Sequence, residues 1–237
     1  ATTLHNAAFY TCRKLKKLSV GTAISGIGSD EFMNDSQLEH LIIRGKDSEA
    51  TGLPLILERI AENITVSFCP NSPSSPESIV FFPEYYEWLD EISPAHIFSR
   101  SIHGEGFRMR RSFENGILNY RKYDSCLENA LTVESPESLC KIALNRLRWP
   151  SRLEDIFREK YENVIKKYMG TAFTLAVKDQ DFPMLQFICE HFSPDASALA
   201  SAIDQCIEKE WGEGNAFLIE AKHKSFSKKT FDFDLDF

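Results

Sequence analysis

Apolar positions along this chain follow two periods, and the balance between them shifts near residue 124. Before that point, alternating and helical spacings are mixed. Ile64-Thr-Val-Ser-Phe-Cys69 alternates and is rich in β-branched residues, so it reads as a strand. Ile79-Val-Phe-Phe82 reads as a second strand, across a proline- and serine-rich surface loop from Pro70 to Pro76. Phe107–Phe113 and Ile117–Tyr123 flank Asn115-Gly116, a hairpin turn in which both residues tolerate positive φ. A register centred on that turn pairs Phe113 with Leu118 and Arg111 with Tyr120. It gathers Arg108, Arg110 and Arg121 on the opposite face, a local basic surface.

Helical spacing predicts four further elements in the same half. Leu4, Ala8, Cys12 (or Thr11), Leu15 and Leu18 share one face of a helix over residues 3–18, with four basic residues in its last turns. Asp30 caps a helix containing Phe32, Met33, Leu38, Leu41 and Ile42, which Gly45 ends. Pro54 opens a third helix through Ala61, and Pro83 starts an aromatic and acidic one over Glu84–Glu91. The stretch Ser19–Ser29 carries Gly21, Gly26 and Gly28 but lacks the spacing of a phosphate cradle, so it reads as a flexible loop.

After Asp124 the pattern is helical throughout. Ser135-Pro136 is a cap with a first-turn proline, Leu139, Ala143 and Leu147 line one face, and Trp149-Pro150 stops the helix. Ser151 and Glu154 have capping-box spacing ahead of Leu153, Ile156, Phe157, Tyr161, Val164, Ile165 and Tyr168. Gly170 closes that helix. Leu175, Ala176 and Val177 then form a short apolar face, Asp179-Gln180-Asp181 a polar turn, and Met184, Leu185, Phe187 and Ile188 a second face after Pro183. Ala198–Ile203 with Ile207, and Ala216–Ile219 beyond a turn at Trp211–Asn215, repeat the arrangement.

The order Thr171, Leu175-Ala176-Val177, acidic turn, Met184-Leu185, Phe187-Ile188, His191 resembles the two helices of an ankyrin repeat. Phe192 stands where that family usually has glycine, and the step to the next unit is about 26 residues instead of roughly 33, leaving no room for the usual finger hairpin. The resemblance covers about 50 residues and implies a rigid surface for binding another protein. An ordinary helical bundle accounts for the same residues. Leu139-Cys140 through Arg146 is also similar to a SOCS box, but Pro136 replaces a leucine, the spacer to Pro150 is short and the segment is internal; packing of two consecutive helices explains it. The fold expected is α+β and predominantly α-helical, with a small antiparallel sheet in the N-terminal half and ankyrin-like hairpins in the C-terminal half. The expected regions are 1–124, 125–221 and a tail, 222–237.

Composition narrows the function. In 237 residues, a 43% hydrophobic share supports a sizeable core, and a net charge of −8 argues against broad nucleic-acid binding. No apolar run approaches the roughly 18 residues of a membrane span. No signal peptide is visible, although a chain opening on Ala1 leaves a trimmed end open. Six unpaired-looking cysteines, several among apolar helical residues, fit reduced thiols in the cytosol rather than a zinc site. No metal or other cofactor is expected.

Candidate chemistry is sparse. His103-Gly104-Glu105-Gly106 leads into the arginine-bearing segment, where His103 and Glu105 as catalytic groups, with Arg108, Arg110 and Arg121, would suit an anionic ligand such as a phosphate, a dinucleotide or a phosphoprotein. A glycine-flanked loop before an exposed strand accounts for it equally. Cys12 with His96 or His103 would make a nucleophile and base, on no evidence of proximity. His191 reads as a helix-end cap. The tail alternates Phe231, Phe233, Leu235 and Phe237 with aspartates, which suits either a partner-docking peptide or a cover packed back on the chain. The leading expectation is a protein-recognition or regulatory protein with a protein partner, cytosolic, with the interior of a host cell as one setting. The alternative is a small transferase or hydrolase acting at His103, Glu105 and the arginines.

Overall fold

The computed structural model describes residues 2–29, 32, 37–92 and 97–229. The fold is α+β and mostly helical, with small sheets in the N-terminal half and helices in the C-terminal half, as the sequence predicts. Two compact units divide it, Ala1–Glu159 and Lys160–Phe237. Among the described residues no helix is long and apolar enough to cross a membrane.

In chain order the first unit holds β1 (Thr3–Leu4), β2 (Lys17–Gly21), β3 (Gly26–Ile27), β4 (His40–Arg44), α1 (Leu53–Leu57), β5 (Ile64–Phe68) and β6 (Ser78–Phe82). There follow β7 (Tyr86–Ile92), β8 (Ile97–His103), α2 (Gly106–Met109), β9 (Phe113–Glu114), β10 (Ile117–Leu118), α3 (Tyr120–Ser125), α4 (Leu127–Val133) and α5 (Pro136–Arg148). The central sheet runs β2-β4-β5-β6. Only β5 and β6 pair antiparallel; β2–β4 and β4–β5 are parallel, so the expected antiparallel sheet is a mixed one. Leu41, Ile43, Ile64, Val66, Phe68, Val80 and Phe82 are buried from its strands. Helix α5 packs on β6.

Four sequence expectations change here. The segment read as a helix from Asp30 ends as β4: Leu38, Leu41 and Ile42 have helical spacing, but the β-branched pair Ile42-Ile43 sits in a strand that buries Leu41 and Ile43 in alternation. Asp30 and Met33 lie outside the described residues. Residues 3–18 are not a helix: Thr3–Leu4 pairs with Gly26–Ile27, and Ala7 and Thr11 both have φ 57°, a left-handed conformation that interrupts any helix. The glycine-rich stretch carries β3 and the end of β2 rather than a loop throughout. Glu84–Glu91 contributes β7, where Tyr86 and Trp88 take the extended conformation that aromatics favour.

The Asn-Gly turn forms as read. Asn115 has φ 51° and Gly116 φ 79°, and Leu118 pairs with Phe113. A Cβ on Gly116 would stand 2.8 Å from the Thr51 carbonyl oxygen, so the position needs glycine twice over. The ladder stops there, because α2 and α3 replace the outer parts of both predicted strands; Arg111 and Tyr120 do not pair. Helix α5 begins as predicted, with Ser135 Oγ accepting from Ser138 N–H, and ends at Trp149.

A buried polar network ties these helices to the sheet. Arg146 makes a bidentate pair with Asp124 at 2.8 Å for each bond, and its guanidinium lies 4.4 Å over the Tyr120 ring. The Tyr120 hydroxyl is 2.8 Å from both Asp47 Oδ2 and Ser78 Oγ. Ser151 donates to the same Asp47 instead of capping a helix, and Glu154 pairs with Arg121, so the expected capping box does not form. These contacts hold residues 120–151 with the sheet, and the compact unit runs to Glu159 rather than stopping at 124.

The helices of the second unit are the end of α6 (Asp155–Lys167), then α7 (Met169–Lys178), α8 (Phe182–Phe192), α9 (Ala196–Glu208) and α10 (Gly212–Lys229). The break between α6 and α7 falls at Tyr168, so Gly170 lies inside α7. Asp181 and Asp195 cap α8 and α9 by accepting from Met184 and Ala198 N–H. Leu175, Ala176, Val177, Met184, Leu185 and Ile188 are buried as the apolar spacing requires, and Phe187 stacks on His191. His191 also faces Glu162 at 3.5 Å. Helices α7 and α8 form one hairpin and α9 and α10 another; α7 packs on α9 and α8 on α10, so the hairpins stack layer on layer. The tail Phe231, Phe233, Leu235 and Phe237 lies outside the described residues.

Candidate functional site

Strand β8 ends at His103, and the chain then turns through Gly104-Glu105-Gly106 into α2. Gly104 has φ +92°, and a Cβ on Gly106 would stand 1.9 Å from the Pro83 carbonyl oxygen. Both glycines are therefore required by the close approach of the 83–85 segment, and Glu105 between them is turned inward, only 5% exposed. Its backbone N–H donates to Glu134 Oε1 at 2.7 Å. Its own Oε1 lies 3.3 Å from Arg108 Nη1 but is buried without a hydrogen-bond partner.

These groups line an open groove of about 790 Å³, together with Glu84, Tyr86, Ile102, His103, Val133 and Ser135. Burial pushes the Glu105 carboxyl above its ordinary range, partly offset by Arg108. Burial raises Glu134 likewise, partly offset by the Glu105 N–H it accepts from. The Cys126 thiol is pushed up to about 11 by burial and by the neighbouring Glu105. His103 is exposed, stacks on Tyr86 at 4.9 Å between centroids, and has Nε2 3.3 Å from Ser101 Oγ.

Two of the predicted catalytic residues thus share a groove, but among the described residues no hydrogen bond or ion pair joins His103 to Glu105. Glu134 was missed: it sits at the end of α4, distant in sequence, where no local pattern marks it. The three arginines separate. Arg108 stays in the groove. Arg110 is buried, donating to the carbonyl oxygens of Ile60, Glu62, Pro83 and Gly106. Arg121 is 79% exposed on α3 and pairs with Glu154. Their expected common face depended on strands that end at Phe113 and Leu118. Among the described residues no hydrogen bond joins Cys12 to His103, and His96 lies outside them. Among the described residues no group of three His, Cys, Asp or Glu side chains is placed to hold a metal ion.

One wall of the groove belongs to a ribbon. Strands β7 and β8 pair from Tyr86↔His103 to Ile92↔Ile97 in a sheet of their own. Tyr86 and Trp88 share one face with His103 and Ser101; Glu87 and Leu89 share the other with Ile102 and Arg100. Tyr86, Trp88 and Leu89 are 60%, 56% and 65% exposed. No protein-family model, curated protein or solved structure matches the chain.

Proposed function

We propose that the chain is a protein-recognition or regulatory protein whose first unit binds a protein partner through the β7–β8 ribbon and the groove beside it. The observation that carries this reading is the exposure of Tyr86, Trp88 and Leu89 on a two-stranded ribbon. Tyr86 and Trp88 stand on one face of the ribbon and Leu89 on the other, each beside charged or polar neighbours; exposed aromatics of this kind mark interaction sites, and Trp and Tyr are enriched among binding hot spots. Each strand also has an outer edge on which an extended partner segment can add a further strand. The stacked hairpins α7–α8 and α9–α10 resemble ankyrin pairs and offer a second surface of the same kind. The setting we infer is the cytosol, that of a host cell included, because the cysteines are free thiols.

Site-specific photo-crosslinking tests the ribbon. A benzophenone side chain at position 89, on the exposed ribbon, is expected to capture a discrete protein from cell extract, whereas the same group at exposed Lys46, outside the ribbon and the hairpins, is not. Equal capture from both positions would remove the ribbon from the reading.

One observation favours a second reading, a hydrolase or transferase: two carboxyls with raised pKa line one groove, the environment of a general acid. Glu105→Gln would then abolish turnover while leaving partner capture intact. A recognition protein has no turnover for that change to abolish, and Glu105, only 5% exposed, offers a partner little contact.

A further inference from the structure

Beside the ribbon's Glu87–Arg100 pair, a smaller pocket of about 230 Å³ is lined by four arginines, Arg59, Arg100, Arg110 and Arg111, and two acids, Glu58 and Glu87. Arg100 engages Glu87. Among the described residues neither Arg59 nor Arg111 forms an ion pair. Arg111 is held instead with its guanidinium 3.9 Å over the Phe107 ring, a stacked position that fixes the direction of its donors.

Arg110 also lines the pocket and is only 5% exposed. All its acceptors are backbone carbonyls. Glu62 and Glu134 are near enough to favour its charge, but neither forms an ion pair with it. Burial lowers its pKa to about 10, so it remains a cation at neutral pH. A buried cation without a bonded carboxylate is unusual, because burying a charge normally requires a paired one. Its charge, bonded to no carboxylate, stands beside the exposed Arg59 and Arg111 in the pocket lining.

We propose that this pocket receives the phosphoryl group of a phosphorylated side chain on the partner protein, an inference that rests on the protein-recognition reading. Several arginines around one small cavity match the three oxygens of a phosphoryl dianion better than the two of a carboxylate. The half-buried Tyr85 and Phe107 in the lining give an apolar surface for the stem or ring that carries it. A lipid surface fits less well: the pocket is small, Glu58 and Glu87 are in its lining, and the chain's charge is −8. The same charge disfavours a nucleic-acid backbone.

The test is isothermal titration of the full chain with degenerate peptide pools carrying a central phosphotyrosine or phosphoserine, alongside their unphosphorylated counterparts. Phenyl phosphate and phosphatidylserine vesicles are titrated in parallel. The expected result is binding of a phosphorylated pool about tenfold or more tighter than its counterpart, weakening as salt rises, with phenyl phosphate competing. Arg59→Gln with Arg111→Gln, both exposed and outside the buried network, is expected to remove about tenfold of that affinity without lowering the melting temperature. Equal binding of both pools, unchanged affinity in the double variant, or binding to vesicles without discrimination between pools would each overturn the proposal. If the pools fail while ribbon substitutions still abolish capture of a cellular protein, the phosphoryl site falls and the recognition reading stands.

Discussion

Arg110 and Arg146 are the most informative residues, because the chain buries both and treats them differently. Arg146 has a carboxylate partner in Asp124, and both side chains are within 1% of full burial. Asp124→Ala would leave that guanidinium buried without its charge partner, a loss of about 3–5 kcal/mol that a chemical denaturation curve measures directly. Nothing in the sequence separates Arg110 from Arg108, since burial here depends on where the distant Ile60 and Pro83 carbonyls lie. Glu105 gives a pH prediction of opposite sense to an ordinary paired acid. Its folded pKa is raised above the ordinary 4.5, so its contribution is fully present below about pH 4.5 and is lost as pH rises through the raised value. Glu105→Gln should therefore gain stability relative to the parent as pH is taken from about 4.5 to about 7.5. Thermal melts of the two proteins that stay parallel over that range would show that Glu105 is not desolvated.

At the scale of elements, legibility tracked how local the deciding forces are. Asn115-Gly116 sets its own turn, Ser135-Pro136 its own helix start, and the alternation of Ile64–Phe68 its own strand; all three were readable. Strands β4 and β7 were not, because their apolar residues fit a helical face as well as an extended one, and pairing with β2, β5 or β8 decides between them. In the helical hairpins the buried set Leu175, Ala176, Leu185 and Ile188 followed directly from spacing. Leu185 is 0% exposed, so Leu185→Asp should cost on the order of 3–5 kcal/mol and unfold this unit at physiological temperature. An unchanged melting temperature would mean that α8 does not pack as described.

For the whole molecule, the division into units was the least legible feature. The change of period near 124 suggested a boundary, yet Asp47 reaches Tyr120 across 73 residues and Ser151 across 104. Contacts that distant leave no trace in a window of sequence. A fragment of residues 1–124 lacks Arg146 and Ser151 and should show no cooperative melt, whereas residues 1–159 should melt cooperatively. The candidate site was half visible: the loop carrying His103 and Glu105 was found, but Glu134 and the arginine pocket come together only through folding.

The function proposed for the molecule rests on the exposed ribbon, and capture of partners from cell extract tests it most directly. The intact chain and a Tyr86→Ser, Leu89→Ser double variant are compared as bait, with mass spectrometry of the captured and of any modified proteins. Both side chains are more than half exposed, so the variant should keep the parent's melting temperature. A specific protein should be retained by the intact chain and lost from the variant. The same proteins held equally by both, or a protein newly modified without being retained by either, would contradict the recognition reading.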